Sequence, residues 1–198
     1  MDRKQFVVAS GVSAFAALAW LRGIARGSAL AATPDAAESA QQVALGVVQA
    51  ILPFEDHRFP AMSPEDVRKR MYSIFSLDDD AAFESSLALF DTIVLWANPP
   101  LPVIALEVLR YGQPDVARDQ RLFEKTFTDR KVAQARFVDL GVDDKRLYLA
   151  MWSQSSFGVR RRVYQSFKAL VHATAYSMDA LWNAIGYDGP LVSKGITS

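Results

Sequence analysis

Histidines, cysteines and clustered carboxylates most often carry acid–base, nucleophilic and metal chemistry, and here they are few. The 198-residue chain has two histidines, His57 and His172, and no cysteine. His57 stands in Phe54-Glu55-Asp56-His57-Arg58-Phe59, where the adjacent carboxylates could tune an imidazole for general-base work. No serine or cysteine nucleophile accompanies it, so a solvated loop histidine beside acids is the expectation. His172 falls, at about 100° per residue, on the side of Arg161 and Lys168 and away from Val163, Phe167 and Leu170. That places it at the surface or at a partner interface. Asp78-Asp79-Asp80 could be a metal-binding run, but acids also favour the positive end of a helix, and the helix start is the preferred reading. Arg160-Arg161-Arg162 could hold an anion at a helix start. Successive side chains diverge around a helix, however, so solvation or partner contact is expected of all three.

Absences narrow the chemistry further. Without cysteine the chain has no thiolate-held iron–sulfur cluster, no thioether-linked haem and no thiol nucleophile. GxGxxG, GxxxxGK[ST], HExxH and GxSxG are all missing. No catalytic, cofactor-binding or metal-ligating residue is therefore assigned in this chain. Basic and acidic residues balance at 22 each. Residues 1–31 hold four of the basic and one of the acidic, which leaves 18 against 21 and a formal charge of −3 beyond them. Such a balance argues against nucleic-acid binding, which needs a basic stripe.

Helix signals run through the remainder. Ala32 to Glu38 is small and polar and is expected to be a flexible lead. Val43, Val47, Val48, Ile51 and Leu52 recur at helical spacing until Pro53 stops them. Ser63-Pro64-Glu65-Asp66 opens another helix with a cap, a first-turn proline and acids near the dipole; Val67, Met71, Ile74 and Phe75 follow. A helix from Ala81 to Ala97 carries Phe83, Leu87, Phe90 and Val94 on one side and Leu89, Ile93 and Trp96 on another, the pattern of a central helix. After Asn98-Pro99-Pro100-Leu101-Pro102, a helix through Ile104, Leu106, Val108 and Leu109 ends near Gly112. Further helices are expected from Pro114 to Arg130, from Asp143-Asp144 through Trp152, and from Val159 to Met178. No stretch alternates at period two. The expected fold is all-α: a single compact helical bundle over residues 32–198.

Residues 1–31 read as an export signal. Arg3 and Lys4 form a cationic start, Phe6 to Leu21 an uncharged apolar core, and Ser28-Ala29-Leu30-Ala31 a small-x-small cleavage site cut after Ala31. A permanent anchor is the alternative, but a spanning helix needs about 20 apolar residues and this core is shorter. The start resembles a twin-arginine signal, with Lys4 where the second arginine would stand and Phe6 as the following apolar residue. Arg22, Arg26 and the alanine-rich core also favour that route, which carries folded proteins.

The C-terminal quarter carries a family likeness. Leu147-Tyr148-Leu149-Ala150-Met151-Trp152 is followed by Arg161-Arg162-Val163-Tyr164-Gln165-Ser166-Phe167-Lys168-Ala169-Leu170, then Ala175-Tyr176-Ser177 and Leu181-Trp182-Asn183-Ala184-Ile185-Gly186-Tyr187-Asp188-Gly189-Pro190. Over Lys145 to Leu191 this series resembles the gluconate 2-dehydrogenase subunit 3 family, small subunits of bacterial sugar and alcohol dehydrogenases. The resemblance implies a non-catalytic periplasmic subunit. Its large partner, a flavin-dependent dehydrogenase of the glucose–methanol–choline (GMC) type, would hold FAD and travel folded with it, and a cytochrome c subunit could take the electrons onward. Membrane contact is then expected only through the signal or the complex. Trp152, Arg161, Tyr176, Trp182, Ile185 and Tyr187 are the interface residues this implies, although aromatics at such density also build cores. An exported helical scaffold unrelated to a dehydrogenase, or a free-standing enzyme around His57, are the competing readings.

Overall fold

The computed structural model describes residues 34–57, 59, 62–78, 80–91, 93, 96, 101–127 and 135–184. Among them the chain is all-α, with eight α-helices, one 3-10 turn and no strand. The helices are α1 (Pro34–Ile51), α2 (Pro64–Phe75), α3 (Ala81–Asp91), α4 (Leu101–Tyr111), α5 (Val116–Thr126), α6 (Val142–Gln154), α7 (Gly158–Tyr176) and α8 (Asp179–Ala184). The 3-10 turn, Phe137–Asp139, precedes α6.

Helix starts follow local chemistry. Ser63 caps α2 through a capping box: its hydroxyl accepts from the Asp66 N–H at 3.0 Å, while the Asp66 carboxylate accepts from the Ser63 N–H. Asp80 Oδ1 accepts from the Phe83 N–H at 3.0 Å, so the acidic run serves as a helix start as expected. Among the described residues no group of three or more metal-ligating side chains occurs. Asp115 caps α5 in the same way, accepting from the Arg118 N–H at 2.8 Å. Gly112 follows α4 with φ 89°, the left-handed region where glycine meets no steric cost.

One expectation fails at the first helix. Residues 34–38 are not a flexible lead, because α1 already begins at Pro34. Proline suits a first turn, where its missing N–H would have no partner, and the alanines behind it favour helix.

The core lies where α1, α2, α3, α6 and α7 meet. Val43, Val47 and Val48 of α1, Met71 and Phe75 of α2, and Leu170 and Val171 of α7 are buried together. An aromatic cluster fills the centre. Phe90 of α3 stacks on Trp152 at 4.2 Å between centroids and meets Phe167 of α7 edge-on at 5.0 Å. Phe137, Tyr148 and Trp96 surround this pair. Such contacts add about 0.5–1.5 kcal/mol per pair beyond simple burial. Asp91, at the end of α3, ties down the return segment: it pairs with Arg136 at 2.6 Å and accepts from the Val138 N–H. No helix among the described residues is long and apolar enough to cross a membrane.

Candidate functional site

Much of the buried polar chemistry of this domain gathers at the junction of α6 and α7. Phe157, the residue before α7, has no side chain able to cap it. The helix is capped from a distant element. Glu107 of α4, 1% exposed, accepts from the Gly158 N–H at 2.6 Å and from the Val159 N–H at 2.9 Å. Its negative charge also meets the positive end of α7. Close approach of α4 requires a glycine here, since a Cβ on Gly158 would lie 2.4 Å from Cγ of Tyr111.

In the same first turn, Arg160 is buried at 4% exposure. It donates to Asp119 of α5 at 2.9 Å and to the Trp96 carbonyl at 3.0 Å. Its guanidinium lies between two aromatic rings, 4.3 Å from the Trp96 centroid and 4.4 Å from that of Phe157. Burial lowers the pKa of Arg160 and the Asp119 charge opposes the shift; an arginine remains cationic. Asp119 also accepts from the Ser155 hydroxyl and from the Ser156 N–H at 2.7 Å. Arg161 donates to the Ser155 carbonyl, and Trp96 Nε1 to the Asp119 carbonyl at 3.0 Å. Both carboxylates are thus engaged by fixed donors. Their geometry organises a helix junction and fits general acid–base work poorly.

Two expectations are corrected here. Arg160 is neither solvated nor a partner contact, because Asp119 and two rings enclose it; only Arg161, half-buried, and Arg162, exposed, reach the surface. Trp152 is also no surface anchor: at 5% exposure it is stacked in the core on Phe90. Tyr176 is half-buried and meets His172 edge-on at 6.5 Å. His172 is itself half-buried, with its pKa lowered first by burial and then by Lys168. His57 is exposed, 3.7 Å from Asp56. The backbone of Trp182 lies in α8; its side chain, Ile185 and Tyr187 lie outside the described residues, as do Arg3, Lys4, Phe6, Ala29 and Ala31.

Glu107, Asp119 and Ser155 escaped the sequence reading, and one signal for Glu107 existed. It stands three residues after Ile104, on that residue's side of α4, where a lone acid among apolar residues marks a buried partner. The apolar pattern pointed the other way: Val108 and Leu109 are exposed, Leu109 at 83%. No family model matches the chain, and neither a curated protein nor a solved structure does.

Proposed function

We propose that this chain is the non-catalytic small subunit of a periplasmic flavin-dependent dehydrogenase of the GMC type, required for export, folding or stability of the catalytic subunit. FAD belongs to the partner in this reading, and a cytochrome c subunit is a further partner. The supporting observation is the use made of the likeness-bearing segment. Its polar residues bind one another and the neighbouring helices, while Val108, Leu109 and Tyr111 of adjoining α4 stay exposed. Exposed apolar side chains near one another in a helix are a surface that a partner chain can cover. The C-terminal motif series selects the kind of partner. An unrelated scaffold would share the exposed surface but not the motifs.

Affinity purification of the tagged chain from the periplasm of its native host tests this. A large flavoprotein should accompany it in fixed stoichiometry, with substrate oxidation only in the complex. Turnover by this chain alone, or its recovery without a flavoprotein, would refute the reading.

A further inference from the structure

The exposed apolar side chains of α4 stand at a corner where α4 ends and α5 and α7 begin. The Tyr111 ring lies against Gly158, in the first turn of α7. At about 100° per residue, Arg161 and Arg162 share the Gly158 side of that helix, so both flank the tyrosine. The Ser156 hydroxyl donates to the Asp115 carbonyl at 3.0 Å and holds the start of α5, with exposed Arg118, beside the same turn. Arg110 is exposed between Leu109 and Tyr111.

These cations are not spoken for. Among the described residues none of Arg110, Arg118, Arg161 and Arg162 forms an ion pair. Arg161 donates to the Ser155 carbonyl. Asp115 is the acid at this corner that reaches solvent, and its carboxylate already caps α5. With the enclosed Arg160, Glu107 and Asp119 counted in, five cations still face three carboxylates. The excess is local. α7 carries no acid along its length, whereas α1 and α3 carry acids and no lysine or arginine.

We propose that this corner docks an apolar surface with an acidic rim on the flavoprotein, with Val108, Leu109 and Tyr111 at the centre and the arginines around them. The inference rests on reading the chain as that flavoprotein's small subunit, and adds the face used and the charge that meets it. Protein interfaces combine an apolar centre with a polar rim and are enriched in tyrosine and arginine. Arginine is weakly hydrated, and its planar fork matches a carboxylate. An anionic bilayer would also meet the chain's formal charge of −3 beyond residue 31, whereas a discrete acidic patch meets the corner alone.

Surface plasmon resonance of the purified chain on the flavoprotein that co-purifies with it, between about 0.05 and 0.5 M salt, tests this. Association should slow as salt rises. Arg118→Glu and Arg162→Glu should each weaken binding about tenfold at low salt, near 1.4 kcal/mol, and less at high salt. Leu109→Asp should weaken it about a hundredfold at either salt. Glu38→Lys, on α1, should change little. All four side chains are exposed, and an unchanged urea midpoint checks that each variant folds. Binding by the wild type that survives the three corner substitutions would overturn this inference and leave the subunit reading standing. No binding by the wild type would overturn both. If those substitutions instead abolish only self-association, or only binding to phosphatidylglycerol vesicles, the corner belongs to a second copy or to lipid and the proposal fails.

Discussion

Replacing Arg160 with alanine is the sharpest test of the helix junction. The substitution leaves Asp119, at 1% exposure, with a buried charge and without its ion partner. Breaking a buried pair from one side costs about 3–5 kcal/mol. The donors that remain on Asp119, the Ser155 hydroxyl and the Ser156 N–H, hold the loss toward the lower end of that range. Removal of the guanidinium from between the Trp96 and Phe157 rings adds to it, at about 0.5–2 kcal/mol for each such contact. A total near 4 kcal/mol is expected, or about 8–16 °C in Tm for a domain of this size. Urea unfolding followed by far-UV circular dichroism reads the change as a lower midpoint at unchanged slope. The double variant Asp119→Asn, Arg160→Met removes both charges together while an amide oxygen remains to accept from the Ser155 hydroxyl or the Ser156 N–H, and it should recover part of the loss. A loss below about 1 kcal/mol, the scale of an exposed pair, would refute the buried pair and with it the account of the junction.

The remaining predictions concern neighbouring groups. Glu107→Ala leaves the Gly158 and Val159 N–H groups without their acceptor and should cost about 1–3 kcal/mol in the same unfolding assay. Gly158→Ala drives a methyl group into the Tyr111 ring and should destabilise the fold, with partial rescue by Tyr111→Ala. His172 has a folded-state pKa below its ordinary 6.5, so the unfolded chain takes up that proton first. Its contribution is complete above about pH 6.5 and is lost as pH falls through the folded value. Stability should therefore decline on that side, and His172→Gln should flatten the slope between pH 7 and 5. Trp182→Ala should reduce co-purification of the flavoprotein while the domain still folds, since a central aromatic anchor contributes more than about 2 kcal/mol to binding.

What the sequence revealed divides along range of interaction. The Ser63 cap, the Asp80 helix start and the Gly112 helix stop depend on neighbours within a few residues, and all were legible. The inward stripe of α7 was legible too, because Val163, Phe167 and Leu170 repeat at helical spacing. The junction was not. Arg160 meets Asp119 across 41 residues and Glu107 caps α7 across 51, and no local pattern encodes either pairing. In α4 the periodicity misled, since the fold buries an acid as a remote helix cap and exposes the leucine two residues on. Trp152 belongs to a residue type common both in cores and at interfaces, whereas arginine is rarely buried unless paired, and the partner that buries Arg160 is Asp119, far away in sequence.

The central question is whether this chain delivers a flavoprotein across the membrane. The direct measurement is periplasmic flavin-dependent dehydrogenase activity in cells that make the partner with the full chain, with the chain lacking residues 1–31, or with no chain at all. Activity should appear in the periplasm only with the full chain, and Arg3→Gln with Lys4→Gln should retain both proteins in the cytoplasm. Equal periplasmic activity in all three strains would contradict the account.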